Sequence, residues 1–234
     1  MKPYSIQPAV KLWFRPMSNP MSNQGGFTLV ELMVASVISL ILLAGVIQIF
    51  LSSKVTYGML EGQSTILDNG RFATHILTHY IRMAGLQGRN PTGLTQPNGA
   101  ALAVAIDAPT SSEGGSNPDR IGINFQNPAG TDCIGQAAAG VSNNAFSIAA
   151  DGNNRLGLFC NGQLLVEGVS NMQVVYGEDS TGDGTADYYV PFNQVVNLNN
   201  VESVRIALTL FDVRVSARRA ADRVFSTTIG LRNL

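Results

Sequence analysis

The residues that most often carry chemistry in proteins are sparse in this sequence of 234 residues. The only thiols are Cys133 and Cys160, and the only imidazoles are His75 and His79. Together they could supply four zinc ligands, but their order and spacing match no usual zinc-site pattern. The GxSxG, GxxxxGK(S/T) and GxGxxG motifs of hydrolases and nucleotide-binding enzymes are also absent from the sequence. The sequence therefore predicts no active site, and a protein that is not an enzyme.

The two histidines are four residues apart in a segment that we expect to be helical, so both lie on one helix face. Such a pair could in principle bind a metal ion. No carboxylate or thiol is placed nearby to complete a ligand set. Two solvent-facing histidines near a helix end explain the spacing better.

One loop is rich in possible oxygen ligands for a metal ion. Residues 179–187, DSTGDGTAD, resemble the first nine positions of a calcium-binding loop, with glycine at position 6. The oxygen-bearing side chains at positions 1, 3, 5 and 9 are Asp179, Thr181, Asp183 and Asp187. The pattern departs at position 12, where Val190 replaces a bidentate glutamate. The sequence thus leaves two interpretations open, a weak Ca²⁺ site or a Gly-Asp turn between two strands.

A long apolar segment near the N-terminus predicts a membrane helix. Residues 27–51 contain one charged residue, Glu31. At about 1.5 Å per residue, a helix of this length exceeds the ~30 Å of a bilayer hydrocarbon core. The preceding residues contain Lys2, Lys11 and Arg15 and no acid. The positive-inside rule therefore keeps the N-terminus cytoplasmic and places the rest of the chain in the periplasm, beyond the inner membrane.

The charge balance argues against nucleic-acid binding. The 15 lysines and arginines nearly balance the 16 acidic residues, and only 13% of residues are charged. No global positive field would attract nucleic acid or anionic lipid. We therefore expect no direct nucleic-acid partner.

A plain membrane anchor does not explain Glu31, because a carboxylate within a membrane span is costly and usually functional. Residues 26–32, GFTLVEL, follow a basic leader and resemble the cleavage and methylation motif of type IV pilins and pseudopilins. The resemblance implies that a prepilin peptidase cleaves after Gly26 and methylates the new terminus on Phe27. It also implies that Glu31 offsets the terminal amine of a neighbouring subunit during assembly.

The helix is predicted to continue into water over residues 52–85. One apolar stripe has helical spacing and could cover a sheet; it contains Met59, Ile66, Ala73, Leu77, Tyr80 and Ala84. Gly58 and Gly62 weaken the helix and are the predicted places for a bend. The Gly/Asn/Pro-rich run at residues 88–99 ends the helical structure.

The rest of the chain predicts antiparallel strands. Apolar and polar residues alternate over residues 120–126, 204–210 and 225–231, which indicates half-buried strands. Long polar loops at residues 109–118, 127–140 and 177–187 would offer recognition surfaces. The fold class is therefore α+β, with a long N-terminal helix packed on an antiparallel β-sheet.

Several downstream segments resemble PilW-like minor pilins. They are residues 70–73, 80–86, 166–177 and 201–205, together with the cysteine pair. The resemblance implies a type IV pilin-like organisation, with a cleaved leader (1–26), a transmembrane half-helix (27–51), a soluble half-helix (52–85) and a sheet domain (86–234). It implies a minor pilin that takes part in priming pilus assembly, with prepilin peptidase, other minor and major pilins and the inner-membrane assembly platform as partners.

Two other functions remain open from the sequence. A minor pseudopilin of a type II secretion system would share the helix and the sheet. A signal-anchored periplasmic calcium-binding module or enzyme would make Gly26 and Glu31 accidental. The mature N-terminus would separate this last class from the pilins.

The cysteines predict a disulfide because they are the only thiols and lie in the exported part of the chain. An oxidising periplasm favours the bridge between Cys133 and Cys160. The alternative is two buried reduced cysteines, since free cysteine packs as a small hydrophobic residue.

Overall fold

The computed structural model describes residues 26–86, 105–126, 131–138, 141–213 and 222–232. The predicted leader up to residue 25, with its basic residues, and the run at 88–99 lie outside the described residues. The chain divides into two compact units, Met1–Ser52 and Ser53–Leu234. The four segments expected from the sequence, and the boundaries between them, stay predictions.

In the first unit, the described residues form the beginning of one long helix, α1 (Leu29–Met83). Every described residue up to Ser52 is exposed, although most of them are apolar. Such a surface is unfavourable in water and suits hydrocarbon. Among the described residues, α1 is the one helix long and apolar enough to cross a membrane.

In the second unit, the remainder of α1 buries one face. The buried positions repeat every three or four residues; they are Gly62, Ile66, Gly70, Ala73, Leu77 and Ile81. The predicted stripe is correct for Ile66, Ala73, Leu77 and Ala84, all buried. It is wrong at Met59, which remains 43% exposed because the stripe begins one turn later. Tyr80 is only half-buried, and the next residue, Ile81, is fully buried in its place.

Two glycines of α1, Gly62 and Gly70, let other residues approach the helix closely. The helix assignment runs without a break through Gly58 and Gly62, and the bend expected there stays a prediction. A side chain at Gly62 would collide with the Asp212 carboxylate, and one at Gly70 would collide with the Phe225 ring. The loss of helix propensity at these two positions is thus accompanied by close contact with residues from the end of the chain.

Within the described residues, eight strands form two antiparallel sheets of four strands each. The first sheet has the order β1-β2-β3-β4 and the second the order β6-β5-β7-β8. The strands are β1 (Ile121–Phe125), β2 (Ser142–Ala150), β3 (Leu156–Cys160), β4 (Gln163–Glu167), β5 (Val169–Glu178), β6 (Tyr188–Pro191), β7 (Val201–Leu210) and β8 (Arg223–Gly230). A two-residue turn at Asn161 and Gly162, both with positive φ, joins β3 to β4.

The strand predictions differ in their outcome. In β7, Val204, Ile206, Leu208 and Leu210 are buried while Arg205 is exposed, which confirms the alternation. In β1 the half-buried pattern is wrong, because all five residues are buried. The segment at 105–112 pairs with the edge of β1, where Asp107 N–H donates to the Gly122 carbonyl and Asn124 N–H donates to that of Ala105. The side chains of Thr110 and Asp107 lie against Gly122 and cover the other face of the strand there.

The helix joins both sheets in one core. Ile66, Leu77 and Ile81 pack in the same buried cluster as residues of β1–β5, β7 and β8. The Tyr80 ring lies 6.0 Å from that of Phe125 in β1 and 5.5 Å from that of Phe146 in β2. The predicted fold class, α+β with a long N-terminal helix packed on antiparallel β structure, is therefore confirmed.

The loops predicted as recognition surfaces are fastened by carboxylates. Asp119 is buried, and its two carboxylate oxygens accept from Gly114 N–H and Val174 N–H, both at 2.7 Å. This ties the 109–118 loop to β5. Of the 127–140 loop, only residues 131–138 are described.

A disulfide joins Cys133 to Cys160, with 6.4 Å between their Cα atoms. It fastens the 131–138 segment to the end of β3. The N–H of Cys133 also donates to the Asn144 Oδ1 atom at 2.6 Å, which ties the same segment to β2. Cys160 is fully buried in the core, so the bridge belongs to the packed part of the domain.

We predict that reducing this disulfide lowers the free energy of unfolding by about 3–4 kcal/mol, because the closed loop restricts the unfolded chain. Denaturant unfolding with and without reductant measures the difference. The double variant Cys133→Ser, Cys160→Ser is the control and should not respond to reductant. Alkylation of exported protein without reductant should label no thiol; two labelled cysteines would contradict the prediction.

Candidate functional site

The predicted processing site lies directly before α1. Gly26 and Phe27 are exposed, and the Phe27 side chain is 88% exposed. No described atom lies within 4 Å of the position that a Cβ atom at Gly26 would take. The peptide bond between these residues is therefore open to an enzyme, and a larger side chain at position 26 would meet no steric obstacle within the chain.

The first turn of α1 is closed by reciprocal hydrogen bonds between Thr28 and Glu31. The N–H of Glu31 donates to Thr28 Oγ1 at 3.2 Å, and the N–H of Thr28 donates to Glu31 Oε2 at 3.4 Å. The Thr28 hydroxyl also donates to Glu31 Oε2 at 3.4 Å. This is a capping box, in which two unpaired N–H groups of the helix start are satisfied. The Thr-x-x-Glu spacing is the usual sequence signal of this motif, and it is the feature from which the cap could have been predicted.

The other side-chain oxygens of this segment that have described hydrogen bonds turn to the helix backbone. Ser36 Oγ donates to the Met33 carbonyl, and Ser39 Oγ donates to that of Ala35, both at 2.8 Å. The Glu31 carboxylate instead accepts two long hydrogen bonds, both from Thr28. The negative carboxylate is favourably placed near the positive end of the helix dipole. It nonetheless keeps capacity for a stronger, charged partner.

The predicted calcium loop is organised by its own carboxylates. Asp179 accepts from the N–H groups of Gly184 at 2.7 Å and Gly182 at 2.6 Å, and these donors hold the pKa of its carboxyl below the ordinary value. Asp187 accepts from the Ser180 hydroxyl at 2.6 Å and N–H at 2.8 Å, which likewise lower its pKa. The loop thus keeps both carboxylates ionised and uses them for its own turns.

The predicted calcium ligands are only partly brought together. A polar cavity of about 430 Å³ is lined by Asp179 and Thr181 but not by Asp183 or Asp187. Glu202, at the start of β7, lines it too, a residue that loop spacing could not indicate. Among the described residues, no group of three or more His, Cys, Asp and Glu side chains is arranged as metal ligands. Calcium binding stays a prediction.

The histidines lie on the exposed side of α1. His75 and His79 are both exposed, and the His79 ring contacts the edge of the adjacent Tyr80 ring with 5.3 Å between centroids. Over the described part of the chain, neither belongs to a set of metal-binding side chains. This arrangement agrees with solvent-facing histidines.

Comparison with known proteins gives two family matches. Residues 21–47 match the prokaryotic N-terminal methylation motif. Residues 138–223 match the family described as type IV pilus-assembly protein W. Neither the characterised proteins nor the solved structures give a match.

The two matches cover different parts of the same architecture. The first contains Gly26, Phe27 and the start of α1, and the second begins just before β2 and ends at the start of β8. A match to the methylation motif before an exposed apolar helix, followed by a match to the PilW family over antiparallel strands, supports a PilW-like type IV minor pilin.

Proposed function

We propose that the protein is an accessory subunit that a prepilin peptidase cleaves after Gly26 and methylates on Phe27, and that then joins other minor pilins to prime pilus assembly. The observation that carries the proposal is the accessible peptide at Gly26, directly before a capped helix whose apolar residues are exposed. Such a helix start can be reached by a processing enzyme and can then pack against other subunits. In this role the chain is a substrate and a building block, not a catalyst.

Glu31 provides the electrostatic reason for assembly. A carboxylate in a membrane span costs several kcal/mol unless it is paired, and the new terminus created by cleavage is a cation. In a low-dielectric environment the two charges attract strongly. A neighbouring subunit's terminal amine is therefore the partner that we assign to Glu31 in the assembled fibre.

The second part of the proposal concerns orientation and partners. The methylation motif and the apolar helix fit a membrane-anchored pilin. The basic leader supports a cytoplasmic N-terminus, with the unit Ser53–Leu234 in the periplasm before assembly. The disulfide supports the same side, because disulfides persist in oxidising compartments. The inner-membrane assembly platform and the major pilin would then be partners of the processed subunit.

The alternatives fit fewer observations. A minor pseudopilin of a type II secretion system would share the motif and the helix, but the match over residues 138–223 is to a pilus-assembly family. A signal-anchored calcium-binding module or enzyme would not need the methylation motif at residues 21–47. We therefore assign the subunit to a type IV pilus.

We predict that the mature chain begins at N-methylated Phe27, and that Gly26→Val blocks cleavage. The expected cause is a clash between the valine side chain and the peptidase. A clash within the subunit is not the cause, because a side chain at position 26 would contact nothing within 4 Å there. Intact-mass measurement of membrane protein checks both outcomes. Gly45→Ala is the matched control, since position 45 is equally unobstructed and should be processed normally. Normal trimming of Gly26→Val would refute the processing site.

We predict that Glu31→Ala and Glu31→Gln are inserted and cleaved but are not incorporated into pili. Removing the carboxylate leaves a neighbour's amine unpaired in an apolar environment, at several kcal/mol per contact. Immunoblotting of sheared fibres and membranes, in a strain that lacks the wild-type copy, measures incorporation and piliation. Asp68→Asn, an exposed acid of α1 outside the apolar segment, is the control. Normal pilus numbers with the Glu31 variants in the fibres would contradict the assembly role.

The calcium prediction is tested by calorimetry on the full processed protein in detergent. Weak binding at one site, with a dissociation constant of about 10⁻⁴–10⁻³ M, is expected from an extracellular loop with few carboxylates. Asp183→Ala should abolish the heat, and Asp68→Asn should leave it unchanged. Absence of heat at millimolar calcium would leave residues 179–187 as a turn only.

A further inference from the structure

The second sheet ends on one side at β8, and no strand of the described residues pairs with the outer edge of β8. β8 pairs with β7 along its whole length of eight residues without a register shift, so this edge is long and regular. An edge strand presents unpaired N–H and C=O groups, which natural proteins usually shield with proline, bulges, short strands or a covering segment. A long edge without such protection indicates a place for a partner strand.

The other sheet edges in the described part of the chain carry protection of this kind. β6 has four residues and ends at Pro191, which has no N–H to donate. At β4, the Asn69 side-chain amide donates to the Glu167 carbonyl at 3.1 Å, and a register shift interrupts the pairing with β3. The outer edge of β1 pairs with Ile106. β8 contains neither proline nor lysine, and its one charged residue, Arg223, is at its first position.

The alternation of hydrogen bonds shows which backbone groups of β8 face outwards. Directly after the strand, the Leu231 N–H donates to the Glu202 carbonyl at 2.8 Å. Hydrogen-bonded and non-hydrogen-bonded pairs alternate along an antiparallel ladder, so the odd-numbered residues of β8 turn their N–H and C=O groups towards β7. Val224, Ser226 and Thr228 therefore direct theirs to the open edge, and all three residues are exposed. An added strand would find a donor and an acceptor at each of them.

An arginine side chain lies over the same sheet and is held from two sides. Arg205 of β7 is opposite Thr228, and its Nε donates to the Thr228 Oγ1 atom at 3.2 Å. Its guanidinium carbon lies 4.1 Å from the centroid of the Tyr189 ring. The Tyr189 hydroxyl is in turn 2.9 Å from Ser203 Oγ. These contacts restrict the guanidinium before any partner arrives, so little further freedom is lost on binding.

The remaining hydrogen-bonding capacity of Arg205 selects a carboxylate. The residue is exposed, and it forms no ion pair with any described residue. A guanidinium is a planar fork whose terminal N–H groups fit the two oxygens of a carboxylate. The edge of β8 therefore recognises an extended polypeptide through its backbone, and the neighbouring guanidinium recognises an acidic side chain on that polypeptide.

We propose that the outer edge of β8 receives an extended segment of a partner protein, and that a glutamate of this segment binds Arg205. Neighbouring strands lie about 4.8 Å apart, so the added strand would present one row of side chains beside Val224, Ser226 and Thr228. Arg205 is one strand further in, within reach of a long acidic side chain at the position beside Thr228. Val224, which is 66% exposed, would be covered by an apolar side chain four positions from that glutamate. The proposal goes beyond the function proposed above, which assigns no contact to the sheet domain.

The test uses the full processed protein in detergent micelles and the synthetic peptide VTTTETTTV with blocked ends. The peptide has glutamate at its centre and valine four positions away on either side, so it fits either strand direction. Amide hydrogen exchange followed by nuclear magnetic resonance measures the contact. We expect saturating peptide to slow exchange about tenfold at Val224, Ser226 and Thr228. The amides of Phe225 and Thr227, which already bond to β7, should change little.

The role of Arg205 is tested by exchanging each member of the ion pair. Arg205→Gln with the original peptide, and the wild type with VTTTQTTTV, should each bind about fivefold more weakly. The two changes together should weaken binding no further, because either one already removes the pair. Arg205→Lys, which keeps the charge but lacks the fork, should bind between the wild type and Arg205→Gln. Equal affinities for the two peptides would overturn the role of Arg205.

The role of the edge is tested at Ser226. Ser226→Pro removes an outward N–H without removing a bond to β7, so binding should be lost while the amide shifts of β7 remain. Ser226→Ala changes only the side chain and should bind like the wild type. Absence of slowed exchange in the wild type at millimolar peptide would overturn the proposal. So would protection at β6 or β4 in place of β8, or equal binding by Ser226→Pro.

Two further measurements separate these outcomes from other causes. Inorganic phosphate at the peptide concentration should leave the three outward amides unprotected, because an anion alone cannot pair with the backbone. Protection by phosphate would show a simple anion site and overturn strand addition. Processing at Gly26 and incorporation of the Glu31 variants are measured without the peptide, so failure of the proposed function is seen independently of failure at β8.

Discussion

A carboxylate at the start of an apolar helix must be compensated, and the N-terminal part of this protein is arranged around that requirement. Glu31 lies among the exposed apolar side chains of Leu29, Val30 and Leu32. Its charge costs least near a helix N-terminus, where the dipole and two groups of Thr28 are available. Three residues further into the helix, the same carboxylate would have neither. The position of Glu31 relative to the proposed processing site therefore satisfies an electrostatic constraint.

The same helix serves two environments, and its sequence changes accordingly. Before Ser52 it is apolar around its whole circumference, whereas from Gly62 onwards only one face is buried. The change from uniform to periodic hydrophobicity is local in sequence, so both halves of the helix could be predicted. The function of Gly62 and Gly70 could not. Helix propensity alone predicts a bend at Gly62. The side chains that lie against Gly62 and Gly70 belong to Asp212 and Phe225, more than a hundred residues away in sequence.

The strands show the same division between local and long-range information. The alternation in β7 and β8 is visible in the sequence because one face of each strand packs on the core. In β1 the polar Asn124 is buried with its neighbours because the 105–112 segment covers it and Asp107 accepts from its side-chain amide at 3.0 Å. The division into two sheets depends on pairing between distant strands, which periodicity does not encode. The placement of Glu202 beside Asp179 depends on that pairing too.

The residues to which we assign processing and assembly can be predicted from the sequence because their proposed chemistry is set over six consecutive residues. Gly26, Phe27 and Glu31 need only a fixed spacing along a helix start, and Thr28 completes the set through a local hydrogen-bond pattern. That locality also has a mechanical consequence. Bonds formed within the first turn break without disturbing the core that holds Ile66 and Leu77, since no described core residue lies in that turn. The pairing of Glu31 with a neighbouring subunit that we propose can therefore form while the sheet domain remains folded, as a subunit that leaves a membrane and enters a fibre intact requires.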